Sequence, residues 1–241
     1  MQRITASINQ TPGVSAILQD NKPDELRIVV STLGATIKIE VSPVARGTLY
    51  EPEIKAVVEK VEAEFGYAEL QVVSLPDLYG GKLCAAMDRQ HPRDIYDVKL
   101  LLDNEGITRD IFVGFLTYVL SHPRPINEVL WPNWKDLSLP FLNEFEGMTN
   151  KVIGLEELEQ ARLQMLIALQ SNFTNQDIHF LLSFKAGKPD WDLFDVPTIA
   201  NLPAVRWKLM NIQKLEQNSE KHKEQLAKLS TVLDEWKKKP L

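Results

Sequence analysis

The sequence predicts an α+β fold: about three strands within the first 75 residues, then a mainly helical region to the C-terminus. Three observations predict it. Leu26 to Val30 and Ile37 to Val41 are short runs rich in β-branched residues, set on either side of Leu33-Gly34, as in a hairpin. Leu70 to Val73 is a third such run, and from Ser74 onward the apolar spacing becomes helical, with a recognisable cap before most segments.

Taken in order, residues 1–12 read as a short helix ended by Pro12-Gly13, and Asp20 and Asp24 fall in a loop-like stretch around Asn21-Lys22-Pro23. The strand expected over 35–42 places Thr36, Lys38 and Glu40 on one face and Ile37, Ile39 and Val41 on the other. Its hairpin partner spans 25–31. A hairpin alone is marginal in water, so the edge calls for a covering helix or a second copy of the chain. Glu53 to Phe65 reads as a helix with Ile54, Val57, Val58 and Val61 on one stripe, ended by Gly66.

Ser74-Leu75-Pro76-Asp77 combines a hydroxyl cap, a first-turn proline and a carboxylate three positions after the cap, which starts a helix. Pro92 starts a second helix running to about Leu102, before Asp103-Asn104-Glu105-Gly106. Thr108 caps a third over 109–120. Residues 121–142 hold four prolines and should be irregular, with one short helix over 126–130. Trp131 and Trp134 there read as core anchors rather than platforms for stacked bases. Further helices are expected over 155–170, over 175–184 behind the capping box Thr174-Asn175-Gln176-Asp177, and from Pro203 to about Trp236. In the last, Leu226, Leu229, Leu233 and Trp236 form a seam for a partner or for the chain's own body.

The segment from Lys82 to Asp97 carries the chemistry. Lys82 and Arg89, seven residues apart, project from nearly one helix face, with the small Ala85 and Ala86 between them. Asp94 lies in the first turn of the next helix. Asp94 with Asp97, and Arg93 with Asp97, share helical spacings, so all three can meet on one surface. Spacing leaves two readings: a corner that binds phosphate or a metal–phosphate pair, or a helix–helix corner locked by ion pairs. Gly80-Gly81-Lys82 is not a phosphate-binding P-loop, because the flanking spacing is absent and leucine follows the lysine.

Lys82, Arg89 and Pro92-Arg93-Asp94-x-x-Asp97, with Ile37-Lys38-Ile39-Glu40-Val41 upstream, resemble the AbiEii/AbiGii family of nucleotidyltransferase toxins from bacterial abortive-infection and toxin–antitoxin systems. The likeness runs more loosely through Ser121-His122-Pro123-Arg124-Pro125 and the helical remainder. It implies a partial nucleotidyltransferase-like mixed sheet over 1–75 and a helical region over 76–241. It also implies transfer of a nucleotide from an NTP to an acceptor such as tRNA, with Mg²⁺, and a cognate antitoxin encoded nearby. Lys82 and Arg89 would contact phosphates, joined by Arg93 and Asp94. Asp97 would be catalytic, and Glu40 a metal ligand or base. The family's Gly-Ser loop and Asp-x-Asp pair do not precede Glu40. The resemblance therefore implies that the chain begins after the first half of the catalytic domain and is inactive alone. The alternative is an inactive remnant or a protein- or nucleic-acid-binding module of the same family.

Composition excludes other classes. A charged fraction of 25% and an apolar fraction of 44% suit a globular chain, and no apolar run approaches the ~20 residues of a membrane-spanning helix. The N-terminus lacks the apolar core of a secretory signal, so the cytoplasm is the expected compartment. One cysteine permits no internal disulfide, and His91, His122, His179 and His222 show no metal-ligand spacing. The net charge of −6 confines any attraction to nucleic acid to local basic patches: the 82–93 corner, or the lysines from 221 to 239, which read as a solvated end. A homodimer through the sheet edge or the C-terminal helix completes the expected partners.

Overall fold

The computed structural model describes residues 1–22, 25–41 and 46–238. Pro23, Asp24, Ser42 and Lys239 of the sequence reading lie outside them. Two compact units divide at Ala45/Arg46 and are taken separately; residues 75 and 76 fall within the second.

In the first unit, α1 (Gln2–Ile8) precedes an antiparallel sheet of β1 (Ser15–Lys22), β2 (Glu25–Ser31) and β3 (Thr36–Val41), in the order β1-β2-β3. The register aligns Ala16, Val30 and Ile37, and also Leu18, Ile28 and Ile39, so these side chains share one face. Ala16, Ile28 and Val30 are buried there against Met1, Ile8 and Val14. The opposite face is mainly polar, with Arg27 opposite Glu40. Asn9 bonds both the amide and the carbonyl of Ala16, at 2.7 and 3.0 Å, and so occupies part of the free edge of β1. β1 was not expected, because Asp20-Asn21-Lys22 looks like a turn; pairing with the strong strand β2 overrides that local preference.

The second unit opens with β4 (Glu53–Ala56), α2 (Glu59–Phe65) and β5 (Glu69–Val72), the two strands pairing antiparallel. The helix expected over 53–65 is thus strand in its first four residues and helix only from Glu59. Ile54 and Val57-Val58 favour extended backbone, β5 supplies a partner, and a helical stripe would have had nothing to bury against: Val58 and Val61 are exposed in any case. The α+β class holds. Every strand pairing among the described residues is antiparallel, so the mixed sheet expected by resemblance is not seen among them.

The helices of this unit are α3 (Leu75–Asp88), α4 (Pro92–Asn104), α5 (Arg109–Leu120), α6 (Ile126–Leu130), α7 (Ser138–Glu144), α8 (Leu155–Asn172), α9 (Asn175–Lys185), α10 (Pro203–Glu216) and α11 (Ser219–Lys237). Two short 3₁₀ turns, Trp191–Leu193 and Pro197–Asn201, sit between α9 and α10. The caps expected at Ser74, Thr108 and Thr174 each accept the backbone N–H three residues on. α5 is central, buried almost all round from Ile111 to Leu120. Residues 203–236 form two helices instead of one. The polar stretch after Glu216 gives no reason to continue, Asn218 caps a new start, and the turn back buries Leu229, Leu233 and Trp236 against the chain's own body.

α3 crosses α5 at glycine. A β-carbon on Gly80 would lie 2.4 Å from the Gly114 carbonyl carbon, and one on Gly114 would lie 2.2 Å from the Pro76 oxygen. Backbones meet there with no room for a side chain. The Gly80 that resembles part of a phosphate loop is therefore a packing device.

Candidate functional site

Ser74 accepts the Asp77 amide at 3.1 Å and donates its hydroxyl to the Asp77 carboxylate at 2.9 Å. That carboxylate is buried, and it also accepts the amides of Leu49 (2.7 Å) and Tyr50 (3.0 Å). One aspartate thus starts α3 and fixes the segment that leads into β4.

Two turns on, Lys82 leaves α3 towards α4, and its Nζ lies 2.5 Å from Asp97 Oδ2. The pair is about one-third exposed, at 34% and 35%, so the ammonium is fixed in place yet open to solvent. Tyr79, one turn before Lys82, borders the pair; burial raises its phenol, Glu105 adds to the rise and Lys82 opposes it. Tyr79 was missed in the sequence, although its position three residues before Lys82 was a usable signal.

Arg89 makes a two-point contact with Asp94, Nη2 to Oδ1 at 2.5 Å and Nε to Oδ2 at 3.1 Å. Asp94 is nearly buried, whereas Arg89 remains 65% exposed. Arg93 does not join Asp94 and Asp97: its Nη2 lies 3.9 Å from Glu144 on α7, and His91 Nε2 lies 3.0 Å from the same carboxylate. The fold therefore brings together Lys82 with Asp97 and Arg89 with Asp94, while a sequence-distant glutamate draws Arg93 aside. Gln90, between α3 and α4, has a left-handed backbone (φ 57°), unusual for a non-glycine residue. Its buried amide holds the Asn133 carbonyl at 2.9 Å and the Lys135 N–H at 2.7 Å.

Glu40 belongs to the first unit. Arg27, opposite it on β2, places Nε 2.5 Å from Glu40 Oε1. Among the described residues no three His, Cys, Asp or Glu side chains stand close enough to share a metal ion. A divalent ion that clamps a triphosphate needs several hard oxygen ligands. These described residues alone do not fit such an ion.

A second polar assembly lies at the C-terminal end of α5. Lys208, almost fully buried on α10, donates to the carbonyls of His122 and Arg124, each at 2.5 Å, and lies 3.5 Å from that of Val119. A cation there satisfies orphan carbonyls and opposes the helix dipole. Burial pulls Lys208 down to about 7, with the Lys185 charge adding to the fall. Close by, Arg124 holds Asp88 at 2.5 Å. The expectation for the two tryptophans fails: Trp131 is 52% and Trp134 41% exposed, because the core beneath is already filled by Leu130, Phe141 and their neighbours.

No helix among the described residues is long and apolar enough to cross a membrane. Comparison with curated proteins and with solved structures yields no match. A family model described as nucleotidyl transferase AbiEii toxin, type IV toxin–antitoxin system, matches residues 2–211. That span takes in both units, the Glu40 strand and the Lys82–Asp97 corner. With most of the chain matched, this protein belongs to the AbiEii nucleotidyl transferase toxin family.

Proposed function

We propose that this toxin transfers a nucleotide from an NTP to an acceptor nucleic acid, tRNA being the acceptor that the family resemblance suggests. The observation that carries the reading is the Lys82–Asp97 pair, a solvent-open ammonium locked by a carboxylate within the family's matched span. Lys82 acts as a point charge on the triphosphate, and Asp97 orients it. Arg89, held by Asp94 and still mostly exposed, supplies a second cation. The acceptor oxygen bonds to the α-phosphorus as its bond to pyrophosphate breaks, and the hydroxyl proton leaves to a base. Glu40, metal ligand or base by resemblance, has Arg27 as its partner here and is assigned no step.

The test is transfer of α-labelled NTP to total tRNA, with Mg²⁺ supplied. The expected result is labelled acceptor with the wild-type chain, loss by at least about a hundredfold with Lys82→Ala, and a smaller loss with Asp97→Asn. Glu40→Gln reports whether that carboxylate takes part. Unaltered transfer by Lys82→Ala refutes the assignment.

One observation favours the second reading, a binding module without catalysis: no metal-ligand group exists among the described residues. That reading predicts no transfer by the wild-type chain and no thermal stabilisation by Mg²⁺ with NTP, since only a ligand bound to the native state raises stability.

A further inference from the structure

An open groove lies beside the basic corner. It is lined by Trp131, Trp134, Leu163, Ile167, Gln170 and Trp236, among others, and encloses about 390 Å³. That is within the roughly 300–1,000 Å³ of pockets that hold small ligands. Two features set it apart from an ordinary surface dip. Both tryptophans of its rim are substantially exposed, as are Leu163 and Ile167. Trp236, also in the lining, carries a buried indole N–H with no partner among the described residues. A buried donor left unpaired is costly.

Cations surround this aromatic surface. The Arg162 guanidinium lies over the Trp134 ring, 5.3 Å from its centroid, and donates to the Lys135 carbonyl at 3.0 Å. The exposed Lys135 places Nζ 3.1 Å from the Arg89 carbonyl oxygen. Gln90 fastens the same loop to the end of α3 through Asn133 and Lys135. Lys238 closes the far side, 2.5 Å from Glu235. Lys135 and Arg162 thus stand between the groove and the end of α3 that carries Arg89. Asp94, bonded to Arg89, Asp136, held by Ser138, and Glu235, in the groove lining, are carboxylates on this surface.

Partly exposed indoles next to the exposed Lys135 and Arg89 match one ligand chemistry: an unpaired base, stacked on the aromatic surface not covered by Arg162, whose phosphates follow the cations. We propose that the Trp131–Trp134 groove receives an unpaired base of the acceptor nucleic acid and directs its strand towards the Lys82–Asp97 corner. This rests on the preceding reading only in taking the acceptor to be a nucleic acid. A double-stranded acceptor presents no free base face and does not use the groove.

The experiment measures anisotropy of a short fluorescein-labelled single-stranded oligoadenylate, with a duplex of equal length and free ATP as competitors. The wild-type chain binds the single strand. Trp131→Ala and Trp134→Ala each weaken it roughly 5- to 150-fold, the range of a lost base–aromatic stack. Trp131→Phe retains binding, and Trp207→Ala, at an exposed tryptophan outside the groove lining, leaves it unchanged. Thermal melting confirms that these surface variants fold. The proposal is overturned by absence of wild-type binding, by equal affinity of both alanine variants and wild type, or by duplex or ATP competing as well as the single strand. It is equally overturned if the wild-type chain forms a dimer that the alanine variants abolish, since a second copy would then occupy the groove. Transfer activity with tryptophan-independent binding sinks the groove alone; tryptophan-dependent binding without transfer sinks the catalytic reading alone.

Discussion

Replacing Gly114 by alanine sets two physical effects against each other. Alanine favours an exposed helix by about 1 kcal/mol over glycine. Against that, the new β-carbon would stand 2.2 Å from the Pro76 oxygen and 2.8 Å from its carbonyl carbon. Ordinary contact requires about 3.5 Å, so α3 and α5 must part by roughly 1 Å. The atom met is backbone at the start of α3, where Asp77 ties the chain to Leu49 and Tyr50, and no side-chain rotation relieves it. A gap of about 1 Å forfeits up to half of the dispersion energy across the contact, and overpacking of this kind costs about 1–3 kcal/mol or more. Taking the upper end, with the helix gain of about 1 kcal/mol set against it, the net expectation is a loss of about 2 kcal/mol. In urea, with a slope of roughly 2–3 kcal/mol per molar, the midpoint falls by about 1 M. Gly81→Ala is the internal control: its β-carbon meets only the Tyr118 ring, at 3.2 Å and beyond, and the midpoint should barely move. A Gly114→Ala midpoint at or above wild type would refute the close-crossing argument, because helix preference would then have won.

Two further perturbations test the polar framework. Asp77→Ala strands the amides of Leu49 and Tyr50 and removes the Ser74 partner, a cost of about 3 kcal/mol with faster hydrogen exchange at those two amides; protection equal to wild type would contradict the bonding scheme. Lys208 gives a pH signature: burial holds it at about 7, against ~10.4 in an unfolded chain, so above pH 7 the unfolded state binds more protons and stability rises with pH. Cys84 acts oppositely above ~8.5, since burial pushes its thiol up to about 12. His122, lowered by burial, acts only below about 6.5. Lys185, also lowered by burial, adds a rise of the same sign. In the window of roughly pH 7 to 8.5, Lys208→Met should therefore reduce the rise in urea midpoint; an unchanged slope would refute the assignment to Lys208.

Local chemistry in the sequence determined much of this protein. Hydroxyl caps at Ser74, Thr108 and Thr174 placed three helix starts, because a cap acts on amides three residues away and needs no tertiary partner. The alternation in β3 placed Glu40 on the polar face for a similar reason: a strand's period is intrinsic to its backbone. Lys82, Arg89, Asp94 and Asp97 were legible as a set because their spacings are those of two helices meeting at Pro92.

What only the tertiary structure decided depends on distant neighbours. Whether residues 53–56 formed helix or strand turned on the presence of β5, and where the last helix broke turned on which apolar side chains the body could still cover. Arg93 was claimed by Glu144, some fifty positions away in the chain, and no periodicity reports such a partner. That Gly80 serves a close backbone crossing depended on Gly114, more than thirty positions away in the chain. Trp131 and Trp134 were expected inside because large aromatics usually are. They stand outside because burial is set by the space the other elements leave, which is a property of the assembled molecule and not of any one segment.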